Sequence, residues 1–249
     1  MAQSEYGRIN IFDDFTGQEW TVAETADDSM NCGAFRVIGQ GKEDTDSGAV
    51  SMETDPNLNG VIVLTTTNET EHTLGLTTAK MFDVAKMGTL VAEIRVQFPD
   101  LDEKQFYFGF TDVNDDTAIL EGGNLLGSTE TITLTASDLC GFLFSSELTE
   151  DEMWHMVYNG GTTTGETDST DIESGIDAVS GEYNILKLEI DPNGTARWYV
   201  DGVLKQTVAG AVSLTTDLAC MAMVETKAAE IQYAKLDYFG IKANRDWTV

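Results

Sequence analysis

Apolar and polar residues alternate with a period of two along many short stretches of this chain, which is the pattern of half-buried β-strands. The clearest alternation is at residues 90–98, where every second residue from Leu90 to Phe98 is apolar. A second aromatic face is formed by Phe106, Phe108 and Phe110. No stretch long enough for an ordinary helix keeps the 3.6-residue period. The pattern therefore predicts an all-β protein with little helix.

Two consecutive β-hairpins are predicted between residues 185 and 207. Apolar residues alternate with charged ones through residues 185–191, and Asp-Pro-Asn-Gly at 191–194 supplies turn residues. The β-branched and aromatic residues 197–200 follow, and then Asp201-Gly202, a two-residue turn whose twist matches its strands. This ladder is the anchor of the predicted fold.

Further strands are predicted at regular intervals, as expected for a sandwich or jelly roll. They lie at residues 9–15, 34–38, 49–52, 61–67, 73–77, 131–134, 141–145, 153–158, 218–224 and 231–242. The strand at 73–77 is predicted to pair with the strand at 61–67. Residues 147–153 are predicted to form a single helical turn.

The chain is predicted to be a single antiparallel β-sandwich domain over residues 1–249. Two polar, acidic stretches, at about 24–60 and 160–181, are predicted to be long loops, and residues 243–249 are predicted to be a short C-terminal tail. No low-complexity linker separates two halves. The length suits one large sandwich, and 41% hydrophobic residues can fill a sizeable core.

The charge of the chain is strongly one-sided. Fourteen basic residues face 43 acidic ones, a formal net charge of −29. Nucleic acids and anionic membranes need clustered Lys and Arg, so both partners are excluded. A solvated acidic surface is predicted, with a cationic protein partner as the alternative. The N-terminus has no apolar signal core, so we expect the protein to stay where it is made.

Cysteine and histidine offer no catalytic or metal-binding pattern. Cys32, Cys140 and Cys220 are too widely spaced for a zinc site or a disulfide framework, and are predicted to be reduced, buried residues. His155 lies among apolar residues and is predicted to be a packed side chain rather than a base. No cofactor motif or phosphate loop occurs.

Tryptophans are the candidate sugar-stacking or docking residues. The four are Trp20, Trp154, Trp198 and Trp247. Trp20 and Trp198 are predicted to pack in the core, whereas Trp247, near the C-terminus, is predicted to be a docking anchor.

Three segments together resemble the concanavalin A-like, or laminin-G-like, jelly-roll superfamily. They are the opening IFDDF at 11–15, the hairpin RWYVDG at 197–202, similar to a W-x-V-D-G hairpin, and AKLDYFGI at 234–241. The resemblance implies that the first and last strands lie side by side. This fold hosts lectins, glycoside hydrolases, adhesion modules and virion proteins of tailed bacteriophages, so it does not by itself settle the function.

A retaining glycosidase of this fold would present Glu-x-Asp-x-Glu along one strand, with two carboxylates about 5 Å apart. Here Glu189 and Asp191 supply the first two positions, but the chain then turns and the second Glu is missing. Residues 112–116 resemble the start of a calcium loop but lack its later glycine and glutamate. We interpret residues 112–116 as an acidic turn, with an adventitious calcium site as the alternative. No other cofactor is predicted.

The function predicted from these observations is a non-enzymatic virion structural protein, a bacteriophage capsid decoration or cement protein located in the virion. Its predicted partners are the major capsid protein or other virion proteins and sister subunits of a homo-oligomer. Lys242, Arg245 and Trp247 are the predicted partner-binding residues, because Trp and Arg concentrate binding energy at interfaces. A carbohydrate-binding lectin-like module that binds glycans is the alternative, and a divergent glycoside hydrolase comes third.

Overall fold

The computed structural model describes residues 7–16, 21–23, 31–32, 34–39, 49–52, 60–114, 125–129, 131–149 and 152–245. In chain order the strands are β1 (Arg8–Asp13), β2 (Thr21–Ala23), β3 (Asn31–Cys32), β4 (Phe35–Ile38), β5 (Ala49–Met52), β6 (Ile62–Thr65), β7 (Thr73–Thr77), β8 (Phe82–Asp83), β9 (Leu90–Gln97), β10 (Lys104–Thr111), β11 (Leu126–Thr129), β12 (Thr131–Leu134), β13 (Leu139–Ser145), β14 (Met153–Asn159), β15 (Glu173–Asp177), β16 (Tyr183–Ile190), β17 (Ala196–Val200), β18 (Val203–Val208), β19 (Asp217–Thr226) and β20 (Tyr233–Asn244).

These strands form two nine-stranded antiparallel sheets that pack face to face, and a small β11–β12 hairpin. The first sheet has the order β18-β17-β16-β9-β20-β6-β5-β2, and β1 pairs with β20. The second has the order β15-β14-β13-β10-β19-β7-β4-β3, and β8 pairs with β19. The helical content of the described residues is a single 3-10 turn at Ser169–Asp171. The all-β sandwich and the neighbouring terminal strands are confirmed.

The core lies between the sheets and is rich in aromatic rings. Phe98 packs against Phe106 and Trp154, with ring centroids 5.3 and 5.5 Å apart. Trp198 Nε1 crosses from the first sheet to the second and donates a hydrogen bond of 2.8 Å to the carbonyl oxygen of Gly141. Because burial alternates along β9, the predicted apolar face of residues 90–98 points into this core.

The Asp201-Gly202 turn has the predicted geometry. Both residues have positive φ, 50° and 77°, as a type I′ turn requires. The Asp201 carboxylate accepts hydrogen bonds from the backbone N–H of Ile185, at 2.8 Å, and from Asn184 Nδ2, at 3.0 Å. The turn therefore fixes the start of β16 as well as its own hairpin.

The two sheets differ in how their outer faces are covered. Every residue of β10 and β13 is buried, so the outer face of the second sheet is closed at its centre. In the first sheet, β9 and β17 alternate between buried and partly exposed residues. The first sheet therefore presents an accessible polar face.

The predicted pairing of residues 61–67 with 73–77 is wrong. β6 pairs with β5 and β20 in the first sheet, whereas β7 pairs with β4 and β19 in the second. Residues 66–72 carry the chain between the sheets, with Thr66 N–H bonded to the Gln232 carbonyl and Glu71 N–H to the Thr226 carbonyl. This connection is too long for a tight hairpin, so the two strands separate.

The predicted loop at 160–181 and the predicted helical turn at 147–153 also need correction. β15 lies within the loop and pairs with β14, anchored by buried Ile172, whose carbonyl accepts from Met156 N–H at 2.8 Å. Residues 147–149 and 152 form turns rather than a helix where the chain reverses to pair β13 with β14, and residues 150–151 lie outside the described part.

The tail predicted at 243–249 begins too early. β20 continues through Asn244, and Ala243, opposite Ile9 of β1, is buried. The N–H of Asn244 bonds to the Met87 carbonyl at 2.8 Å, and that of Arg245 to the Gly7 carbonyl at 2.7 Å. The pairing with β1 extends the last strand, and residues 246–249 lie outside the described part.

The three cysteines are buried and free, as predicted. Burial raises the pKa of the Cys140 and Cys220 thiols. In the described part of the chain, none of the helices is long and apolar enough to cross a membrane.

Candidate functional site

The accessible outer face of the first sheet brings together side chains from both ends and the middle of the chain. Strands β1, β20, β9, β16 and β17 lie side by side, and residues opposite one another form rows across them. One row consists of Phe12, Gly240, Glu93, Lys187 and Tyr199. The next consists of Asn10, Lys242, Val91, Glu189 and Arg197. We call these two rows the outer face.

Phe12 is the exposed aromatic residue of the outer face. Ile9 and Ile11 point toward the core, so Phe12 takes the opposite side of β1, with 54% of its surface exposed. Its ring lies 5.9 Å from that of Tyr238, centroid to centroid, at 31°. The Tyr238 hydroxyl donates a hydrogen bond of 2.9 Å to Glu93 Oε1. Burial, followed by this bond, raises the pKa of Tyr238.

Two clefts adjoin Lys242 on the outer face. The aromatic cleft has a volume of about 350 Å³. It is lined by Phe12, Val91, Glu93, Lys187, Tyr238, Gly240 and Lys242. The terminal cleft, of about 380 Å³, is bordered by Arg8, Asn10, Thr89, Lys242 and Asn244, among others. Lys242 lines both clefts, so its exposed side chain lies between them.

The carboxylates that the sequence singled out are held in an ion-pair cluster. Glu189 accepts from Lys187 at 2.6 Å, from Arg197 at 3.2 Å and from the Tyr199 hydroxyl at 3.1 Å. Arg197 also binds both oxygens of Asp191, at 2.7 and 2.8 Å. Partial burial would raise the pKa of Glu189, but the hydrogen bonds from Lys187 and Arg197 lower it. The hydrogen bond from Arg197 likewise lowers the pKa of Asp191.

This cluster explains the Glu-x-Asp spacing without catalysis. A glycosidase acid needs a raised pKa to hold its proton near neutral pH, whereas both carboxylates here have lowered values. Asp191 also closes the turn that follows, since its carbonyl accepts from Gly194 N–H at 2.9 Å. The absence of enzymatic activity stays a prediction.

The predicted partner-binding residues are only partly brought together. Lys242 lies on β20, in the outer face, and not in a free tail. Arg245 is exposed directly after the end of β20. Trp247 lies outside the described residues, as does Trp20. Trp154 and Trp198 are both buried, so neither offers a sugar-stacking surface.

Sequence reasoning missed Phe12, Glu93, Lys187 and Tyr238 as site residues. A signal was present: each occupies the polar phase of an alternating strand, and Phe12 is a large apolar residue in that phase. Their convergence depends on the strand order, which alternation does not reveal.

The calcium-like stretch is a hydrogen-bonded turn where it is described. Asp112 Oδ1 accepts from Asp138 N–H at 3.2 Å, and Asn114 Oδ1 accepts from the Thr77 hydroxyl at 3.1 Å. Residues 115–116 are outside the described part. Among the described residues, no group of three or more His, Cys, Asp or Glu side chains is placed to hold a metal ion.

A third cleft, of about 400 Å³, lies beside Asn114 at the rim of the second sheet. Arg36, Thr77, Thr78 and Lys80 contribute to its lining. None of its described lining residues is aromatic. We therefore place the candidate site on the outer face, which combines an exposed ring with charged groups.

Solved structures with a similar fold match over nearly the whole chain. The Emp47p carbohydrate recognition domain matches with a TM-score of 0.57 and 11% identity, covering 93% of this chain and 96% of that one. Peanut lectin in complex with a 9mer peptide matches with a TM-score of 0.56 and 12% identity, covering 95% and 97%.

The fold is concanavalin A-like. It is shared by lectins and by a glycoside hydrolase, since a Bacillus licheniformis β-glucanase also matches, with a TM-score of 0.53, 16% identity and coverage of 95% and 98%. No protein-family profile matches the chain, and no curated protein does. At these identities the likeness establishes the concanavalin A-like fold and leaves the activity open.

Proposed function

We propose that this concanavalin A-like domain is a carbohydrate-binding, lectin-like module whose binding surface is the outer face. The observation that carries the proposal is the half-exposed Phe12 ring beside a cleft bordered by Glu93, Lys187 and Lys242. An aromatic ring packs against the apolar C–H face of a sugar, and carboxylate and ammonium groups bond to its hydroxyls. A cleft of this size suits a small ligand.

The packing around Phe12 supports a preformed surface. Tyr238 flanks the ring, and Glu93 is oriented by its hydrogen bond with the Tyr238 hydroxyl. Lys187 is held by Glu189 and lies 4.9 Å from the ring centre of Tyr199. Groups that are already fixed lose little conformational freedom when a ligand binds. The fold is shared by solved structures described as a carbohydrate recognition domain and as a lectin, which supports this function.

The test compares Phe12→Ala with Leu204→Ala on a glycan array and by calorimetry. Leu204 is a matched control, because it is 49% exposed and lies on β18, at the far edge of the same sheet. Wild type and Leu204→Ala should bind the same glycans, and Phe12→Ala should bind at least about 10-fold more weakly, the loss of ~1.4 kcal/mol expected for one stacked ring. A wild type that retains no glycan, or a Phe12→Ala variant that binds normally, would contradict the proposal.

The virion function predicted from the sequence stays a prediction. The structures described above give it no support, and Trp247, one of its predicted partner-binding residues, is outside the described residues.

A further inference from the structure

We propose that the ligand of the outer face is an acidic oligosaccharide, one that carries carboxylate or sulfate groups. This inference rests on the proposed glycan-binding function and narrows its ligand class. The observation behind it is that positive side chains unpaired within the described residues line the two clefts of the outer face, although the chain as a whole is strongly negative.

The chain has 43 acidic and 14 basic residues, so a cation chosen at random should have carboxylates nearby. Three cations of the first sheet follow that rule. Arg197 binds Glu189 and Asp191, Lys187 binds Glu189, and Arg95 binds Asp237. These charges are already neutralised within the protein.

Lys242 and Arg8 do not follow the rule. Within the described part of the chain, neither side chain has an ion-pair partner, and both are exposed. Both line the terminal cleft, whose other described lining residues are uncharged. Lys242 also lines the aromatic cleft, where Glu93 is the one carboxylate among the described lining residues and Lys187 is already paired with Glu189. The two clefts together therefore carry excess positive charge.

The spacing of these groups indicates an oligosaccharide rather than a single sugar. Phe12, Asn10 and Arg8 occupy alternate positions of β1 on the same side, and Lys242 is paired with Asn10 between them. Arg8 and Phe12 are four residues apart on an antiparallel strand, so their backbone positions are separated by ~13 Å. This distance is greater than the width of one sugar ring. One sugar would stack on Phe12 while an acidic group on a neighbouring sugar lies between Lys242 and Arg8.

The competing explanation is that Lys242 and Arg8 are ordinary solvated side chains. In that case they would add little to binding, because exposed ion pairs contribute weakly. The two explanations differ in whether the ligand's charge matters, which can be varied without changing the protein.

The experiment measures binding of three oligosaccharides by calorimetry: an oligogalacturonate, its fully methyl-esterified and therefore neutral form, and a sulfated galactan oligosaccharide. The proteins are wild type, Lys242→Gln, Lys242→Glu and the control Lys205→Gln. Lys205 lies on β18, at the far edge of the same sheet. A neutral and acidic glycan array is run in parallel with the same proteins.

An acidic ligand should bind wild type about 10-fold more tightly than the neutral ester, through charge-assisted contacts. Lys242→Gln should reduce binding of the acidic ligand about 5-fold, Lys242→Glu should reduce it further, and Lys205→Gln should leave it unchanged. Whether the carboxylated or the sulfated ligand binds identifies which acidic group the site takes.

Equal or tighter binding of the neutral ester would overturn the acidic-ligand inference while leaving the glycan-binding function in place. The same conclusion would follow if the array retained only neutral glycans, or if Lys242→Gln bound the acidic ligand as wild type does. If neither the array nor the titrations retained any saccharide, both the inference and the proposed function would be wrong.

Discussion

Phe12 lies over Gly240, its partner on the adjacent strand, at a distance that leaves no free space for a side chain at position 240. A Cβ atom built on Gly240 would be 3.0 Å from Cδ2 of Phe12. Gly240 is not among the residues with positive φ, so its backbone does not require glycine. The glycine therefore provides room for the aromatic ring on the outer face.

Replacing Gly240 by alanine should displace the Phe12 ring and weaken glycan binding about 3- to 10-fold, with a change in unfolding free energy under about 1 kcal/mol. Calorimetric titration and urea denaturation measure the two quantities. In a Phe12→Ala background, Gly240→Ala should have no further effect on binding, since the ring it displaces is already gone. An additive loss in the double variant would mean that Gly240 acts independently of Phe12.

Gly202→Val should destabilise the protein by roughly 1–3 kcal/mol, because a β-branched residue resists the positive φ of this turn. A Cβ at position 202 would meet no atom within 4 Å, so the loss reflects the backbone alone. Gly202→Asn is the matched control and should cost less, because Asn tolerates this conformation. Thermal denaturation separates them. Equal losses in the two variants would show that the backbone conformation is not the cause.

The turn was predictable from the sequence because its determinants are local. Asp201 and Gly202 are adjacent, and their preference for positive φ does not depend on the rest of the fold. The alternation in β9 is likewise a local property, and it correctly identified the buried side of residues 90–98.

Pairing between distant strands was not predictable in the same way. Residues 61–67 and 73–77 both have strand composition, but nothing in either shows that one joins β20 and the other β19. The outer face has the same origin, since Phe12 and Gly240 come from opposite ends of the chain and Glu93 from a third segment. Such a site is a property of strand order and register, which a period-two pattern leaves open.

His155 should make stability fall as the pH is lowered from about 6.5 toward 4. Burial lowers the pKa of His155 to about 4, whereas histidine in an unfolded chain titrates near 6.5. Between these values the unfolded state binds more protons, so acidification favours unfolding. The contribution is about 2 kcal/mol between about pH 7.5 and about pH 5.

Urea denaturation of wild type and His155→Gln at both pH values isolates this effect from the many carboxylates, which titrate in both proteins. Wild type should lose ~2 kcal/mol more than the variant on acidification. Glu173, opposite His155 on β15, is exposed and is present in both proteins, so it does not contribute to the difference between them. If the two proteins respond identically to pH, His155 is not buried in its neutral form.

The C-terminal docking prediction needs a shorter truncation than the predicted tail suggests. Deleting residues 243–249 would remove Ala243 from the core and the hydrogen bonds that the Asn244 and Arg245 N–H groups donate to Met87 and Gly7. We expect that deletion to destabilise the protein by roughly 1–3 kcal/mol, and a loss of binding in it would be uninformative.

Deleting residues 246–249, or replacing Trp247 by alanine, leaves β20 and its pairing with β1 intact and tests the docking role directly. If the protein is a capsid decoration protein anchored by Trp247, wild type should sediment with phage particles at a fixed ratio to the shell protein. Both variants should melt as wild type does and remain in the soluble fraction, because a central tryptophan often concentrates the binding energy of an interface. Variants that sediment normally would show that Trp247 is not the anchor. A wild type that never sediments with particles would show that the virion prediction is wrong, and the outer face would then be the remaining candidate binding surface.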